Sequence, residues 1–423
     1  MNRYPAPPFD LFNVYFERIY DPTMHLLLAF DGQIDEEVLR TATLRVIAAN
    51  PYLGCRFAEG EGMPVWEEIA EEERGRGFVV LPPGAVMPPP PLDVRKGPQV
   101  RIGLCREEEG DLVVVTCHHG FCDARGLMDL AREIFAAYRE IGNDPDFQPR
   151  TTGLYDRSTD PVRSRFSEEE CRRAIEEEEP FVDRWRFPVE RTGRGTPRIA
   201  SLTLPPERLG RTRAFGKRYG ATVNDVMIAA FFLAFLRIRD DPTDLNAPRS
   251  VLTAADLRRH LDGPVPPANL SAAYEVTLTA GAGARLEDVI EQVAAATRHR
   301  KAGALGLGCI LFYEEIYGGG MERVEAFFEG MMRGYLATGL KNPVFSNLGI
   351  IDETEILPLK GKDGKMLDLS DARCLPCICW PYGFLMTLST FREAMTLVIG
   401  YEEGPYSTDT VERFLEYVDE YLP

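Results

Sequence analysis

Basic residues are the minority charge in this chain: 48 Lys and Arg stand against 66 Asp and Glu, a formal net charge of −18. That balance excludes a sequence-independent nucleic-acid binder, which needs clustered cations to neutralise phosphates. Long hydrophobic runs are missing too. The longest, VMIAAFFLAFL at 226–236, is about half of what a bilayer-spanning helix requires, and it predicts a buried helix instead. The opening MNRYPAPPFDLFN has no basic segment followed by an apolar stretch, so no secretory signal and a cytoplasmic location are expected. Nine cysteines are scattered, mostly inside apolar segments, and do not read as a disulfide framework. In CLPCIC, Cys374 and Cys377 have the gap of a zinc knuckle. Tetrahedral zinc needs a second ligand pair, however, and no comparable Cys/His cluster exists, so no metal is expected and strand alternation is the simpler account.

At 423 residues the chain exceeds what one hydrophobic core organises, which predicts two domains of roughly 200 residues each. Residues 25–57 read as strand, turn, amphipathic helix and strand. Leu39, Ala42, Leu44, Val46 and Ile47 fall near one helical stripe, Asp35 caps the start, and Asn50-Pro51 stops it. Six prolines between 82 and 91 imply an extended surface loop. A hairpin follows, turning at Gly110, and its second strand ends at His118 and His119. The next helix buries Leu127, Leu130, Ile134, Phe135 and Tyr138.

Residues 1–165 are thus expected to form an N-terminal lobe, 166–197 a polar crossover with a Ser167…Glu170 capping box, and 198–423 a C-terminal lobe. The second half repeats the α/β cycle. A helix from Pro205 to Tyr219 precedes a buried one whose start is marked by Thr222…Asp225, and strands near 249–258 and 270–280 lead to a helix over 286–301. An apolar helical region through 310–335 is broken at Gly318 to Gly320, which lacks the spacing of a phosphate loop. A short strand ending in a turn within 342–352, a closing hairpin and a terminal helix from Thr408 complete the order.

The chemistry is concentrated in VVVTCHHGFCDARGLMDL, 113–130, which holds two of only five histidines. A histidine at a strand end can be neutral near pH 7 and accept a proton from an alcohol or amine. Asp123 can fix the turn by meeting a buried cation and is a weaker base than imidazole. The plainer alternative makes both histidines strand residues with satisfied hydrogen bonds and Asp123 a helix cap.

HHGFCDARG resembles the HHxxxDG signature of the chloramphenicol acetyltransferase-like superfamily, which includes condensation domains of nonribosomal peptide synthetases, plant BAHD acyltransferases and alcohol acyltransferases. The likeness extends to LAFDGQIDEEVLRTATLRVIAANPYLGCRF, ATVNDVMIAAFFLAFL and FSNLGII, and so to nearly the whole chain. The BAHD signature DFGWG is absent.

The resemblance implies an α/β fold of two lobes, each a mixed sheet flanked by helices, with a tunnel between them. It implies transfer of an acyl group from a coenzyme A or phosphopantetheine thioester, the latter on a carrier protein arriving in trans, to an alcohol or amine. His119 is then the general base and His118 is structural or shapes the pocket. Asp123 forms a structural salt bridge whose first candidate partner is Arg258 and second Arg259. Ser346 or Asn347 can supply an oxyanion donor, though a Ser-Asn pair also suits a turn. The signature's glycine after Asp123 is replaced by Ala124, with glycine appearing at Gly126, which leaves an inactive binding or docking module as the alternative. The cationic 298–303 segment can meet coenzyme A phosphates or an acidic carrier helix, or can simply complement a helix C-terminus. The Phe- and Met-rich 324–340 segment can line an acyl pocket or pack the core.

Overall fold

The computed structural model describes residues 2–151, 156–177, 182–239, 246–263, 265–281 and 283–423. Two large mixed sheets organise it. The first has five strands in the order Leu369–Leu375, Thr23–Phe30, Asp111–His118, Val100–Arg106 and Phe78–Leu81. The second has eight, running from Ser271–Leu278 through Arg249–Asp256, Val344–Ile350, Leu385–Phe391, Ala394–Glu403 and Ile378–Cys379 to Tyr20–Asp21, with Thr196–Leu204 pairing to Ala394–Glu403.

Asp111–His118 is central in the first sheet, and its run of valines is buried on both faces, as a strand covered on both sides requires. The Ala124–Asn143 helix covers one face with Leu127, Leu130, Ile134, Phe135 and Tyr138 buried. It packs on the Glu36–Ala49 helix, which Asp35 caps by accepting from Glu37 N and Val38 N. Thr43 takes the buried place expected of Leu44, because its hydroxyl is satisfied by Leu39 O at 2.8 Å.

In the second half, the Val223–Ile238 helix is apolar and buried all round over 226–235, with a Thr222/Asp225 capping box at its start. Phe231 and Phe235 meet Phe414, and Phe187 stacks on Phe384 at 3.9 Å. Burying each such ring contributes roughly 1.5–3 kcal/mol. The apolar helical region is two helices, Leu307–Gly318 and Gly320–Thr338, and Gly320 has φ 80°, a left-handed backbone that favours glycine. Only Val324 and Phe328 of the second helix are buried, and Leu336 is 69% exposed. Cys374 and Cys379 lie in strands and Cys377 between them, all buried. No single described helix is long and apolar enough to cross a membrane.

The halves exchange strands. Leu369–Leu375, from the second half, pairs with Thr23–Phe30, while Tyr20–Asp21, from the first, pairs with Ile378–Cys379. Pro22 lies between those two first-half strands, so the chain passes from one sheet to the other at that residue.

Candidate active site at the junction of the two sheets

His119 sits at this passage. His118 is still in register with Thr23, and the next residue leaves the strand and donates its N–H to Pro22 O at 2.8 Å. The two imidazoles meet different surroundings. His118 is buried, its Nδ1 accepts from Gly120 N at 2.9 Å, and burial pulls its pKa down to about 3. A side chain at position 120 would come within 2.4 Å of Val14 Cγ2, so only glycine lets the turn approach this closely. His119 is half-buried, with Nδ1 3.2 Å from Asn269 Oδ1. Burial lowers its pKa, and its own backbone, Asp123 and Asn269 oppose that shift.

Asp123 ends the turn and caps the Ala124–Asn143 helix, its Oδ1 accepting from Gly126 N at 2.9 Å. Its Oδ2 accepts from Leu270 N at 2.7 Å and from Arg258 Nη1 at 2.8 Å. Arg258 also donates to Ala268 O at 3.0 Å and Asp256 Oδ1 at 3.1 Å. Burial alone would lower the guanidinium's pKa, and the neighbouring Asp123 and Asp256 carboxylates raise it. Arg259 is exposed. Ala124 is the first helical residue and keeps φ negative, so the turn has no need of glycine there. The need is at Gly126, where a Cβ would stand 2.8 Å from Cys122 Cβ and 3.3 Å from the Ala268 backbone.

A second buried ion pair lies beside the first. Asp10, in the Pro8–Tyr15 helix, meets Arg157 at 2.9 Å, accepts from Trp66 Nε1 at 2.9 Å, and accepts from Asn269 Nδ2 at 3.1 Å. Arg157 in turn donates to Pro267 O at 3.0 Å and to Phe121 O. The 267–270 segment is therefore clamped between two ion pairs and presents Asn269 to His119. Sequence reasoning missed Asp10, Trp66, Arg157 and Asn269. Each is a polar or aromatic residue in a locally unremarkable stretch, and no periodic signal marks it.

No family model and no curated protein matches this chain by sequence. Solved structures match along its whole length. Polyketide synthase associated protein 5 from Mycobacterium tuberculosis is 16% identical, covering 99% of this chain and 98% of its own, with TM-score 0.68. TRI3 trichothecene 15-O-acetyltransferase from Fusarium sporotrichioides is 14% identical at TM-score 0.72, covering 99% and 95%. The first condensation domain of the CDA synthetase is 17% identical at TM-score 0.66, again covering 99% and 95%. The fold is the two-lobed one of chloramphenicol acetyltransferase-like acyltransferases and condensation domains.

Within this fold, Ser346 and Asn347 lie on the Val344–Ile350 strand. Ser346 is half-buried. Asn347 is exposed and its Oδ1 accepts from Gly349 N at 3.0 Å across a β-bulge, where Gly349 has φ 86°. Neither hydrogen-bonds to His119, Asp123 or Arg258. In the cationic segment, Arg298 donates to Gly220 O at 3.3 Å and Lys301 Nζ stands 3.8 Å from Asp225 Oδ1.

Proposed function

We propose that this chain is an acyltransferase that moves an acyl group from a coenzyme A or carrier-protein thioester to an alcohol or amine, with His119 as general base. The observation that carries the reading is the contrast between the two histidines. His118 is buried with its Nδ1 occupied, whereas His119 is half-buried at the junction of the sheets, uncharged through burial, and held at one nitrogen only. The named activity of one structural neighbour, a 15-O-acetyltransferase, supports the same reaction class.

In this reading the acceptor's O–H or N–H gives its proton to His119 as the oxygen or nitrogen attacks the thioester carbonyl carbon. The carbonyl electron pair moves onto oxygen, and Ser346 and Asn347 are the candidate donors to that oxyanion. Collapse restores the carbonyl and expels the thiolate, which takes the proton from the imidazolium to leave as free thiol. No acyl-enzyme forms. The thioester is already activated, so coenzyme A or phosphopantetheine enters as co-substrate, and neither a metal nor a permanently bound cofactor is called on. Ala124 begins a regular helix, which supports reading the motif as intact.

The test is release of free thiol from acyl-coenzyme A and from acylated carrier protein, with and without added alcohol or amine. Acceptor-dependent release by the folded protein, undiminished by a chelator, supports the proposal. Release lost to the chelator and restored by zinc contradicts it, and no acceptor-dependent release from either donor favours a binding or docking module.

A further inference from the structure

We infer that Asp10 and Asn269 are positioning residues that hold His119 in the tautomer with Nδ1 protonated and Nε2 free. The deduction starts at the far end of the chain of contacts. Asp10 is fully buried, and its carboxylate is reached by the Trp66 indole N–H, by Arg157 Nε and Nη2, each at 2.9 Å, and by the Asn269 amide at 3.1 Å. Indole and guanidinium nitrogens only donate. The indole and both guanidinium nitrogens converge on Oδ2, and although burial raises the pKa of Asp10, the ion pair with Arg157 opposes that shift and favours the charged carboxylate.

An ionised carboxylate only accepts, so Asn269 must turn its NH2 towards Asp10. The other end of the amide, Oδ1, then faces His119 Nδ1 at 3.2 Å. A carbonyl oxygen only accepts as well, so Nδ1 carries the hydrogen. A neutral imidazole has one hydrogen to place, and Nε2 is left with its lone pair. Burial, which lowers the pKa of His119, keeps the ring in this neutral state.

His118 is held the other way round. Its Nδ1 accepts from the Gly120 N–H at 2.9 Å, so its hydrogen sits on Nε2. The adjacent histidines are thus fixed in opposite tautomers by different partners, and only His119 has both a free Nε2 lone pair and contact with open space. Asp10 and Asn269 act through His119 and do not touch the reacting atoms. Their catalytic meaning rests on the acyl-transfer reading, while the tautomer itself does not.

Imidazole 1H–15N long-range spectra of the whole protein at neutral pH test the inference without any substrate. The expected pattern is Nδ1–H for His119 and Nε2–H for His118. Asn269→Leu removes the side-chain acceptor and leaves the ring only its own backbone, which should weaken the Nδ1–H preference to a mixed tautomer signal and lower kcat by roughly tenfold or more with KM little changed. Asp10→Asn allows both amides to reverse, turning the Asn269 NH2 towards His119, and should shift the ring towards Nε2–H. If Asp10→Asn does not fold, the wild-type spectrum and Asn269→Leu decide. An Nε2–H tautomer for His119 in the wild type, or an unchanged tautomer in Asn269→Leu, overturns the inference. Absence of transfer by the wild type with the expected tautomer intact would instead count against the proposed function alone.

Discussion

Asp123 Oδ2 and Arg258 Nη1 stand 2.8 Å apart although 135 residues separate them along the chain. Their side chains are only 5% and 13% exposed, so water screens the pair little. Removing either partner leaves an uncompensated charge in a largely dry place. Asp123→Ala and Arg258→Ala should each destabilise the protein by about 3–5 kcal/mol, and the double variant should fall well short of their sum. Arg259→Ala, on the exposed neighbour, should change stability by less than about 0.5 kcal/mol. Urea denaturation of the wild type and the four variants checks this, and additive losses would show that the two side chains act separately.

His119→Ala should leave a folded protein and lower acyl transfer by about 100- to 10,000-fold. His118→Ala should show the reverse balance. It removes the acceptor of the buried Gly120 N–H and leaves a gap where a buried ring stood, so stability and yield fall more than turnover does. Thermal midpoints beside thiol-release rates separate the two, and equal catalytic losses from two equally stable variants would refute this division of roles.

Gly126→Ala should destabilise by about 1–3 kcal/mol, because the new methyl would press on Cys122 and on the Ala268 backbone, which must move away. The same shift should loosen Asn269 and lower turnover. Ala124→Gly, which restores the residue of the HHxxxDG signature, should not raise the rate, since the backbone there is already right-handed. A large gain in activity from Ala124→Gly would show that the turn is strained as it stands.

Acid should weaken the fold through two histidines. Burial pulls both His25 and His118 down to about 3, and their Nδ1 atoms meet Thr116 Oγ1 at 3.0 Å and Gly120 N at 2.9 Å. The unfolded chain takes up these protons first, near pH 6.5. Stability from the neutral folded forms is therefore fully present above about pH 6.5. It is lost as pH falls towards 3, at about 1.4 kcal/mol per unit for each histidine. Glu133, raised to about 6 by burial, works in the opposite direction, so the measurement is a difference. The stability gap between wild type and His25→Gln should narrow by roughly 2 kcal/mol between pH 7 and pH 5. A constant gap would mean that His25 is not held neutral.

Much of the local structure was legible in the residues themselves, because its causes are local. Asp35, the Thr222/Asp225 box and Asp123 mark helix starts through hydrogen bonds to backbone groups two or three residues away. The hairpin ending at His118 follows from β-branched runs around an acidic turn, and the all-apolar 226–236 stretch could only be buried. The motif at 118–126 and its resemblance pointed to the fold and to a base, with Arg258 named first as the partner of Asp123.

What no window of sequence contains is the company a side chain keeps across the fold. Asn269 lies in the ordinary loop sequence PANLS and Asp10 in a short helix behind two prolines, and both become meaningful only when folding brings them to His119 across 150 and 109 positions. The exchange of Leu369–Leu375 and Tyr20–Asp21 between sheets was equally invisible, since alternation says that a strand forms and not which edge it joins. Sequence by itself determined the elements, their caps and the pair of histidines, through interactions within a few residues. Only the tertiary structure decided which buried polar groups satisfy one another, because that choice is made by burial across distant segments, and it is that choice that sets the two histidines apart.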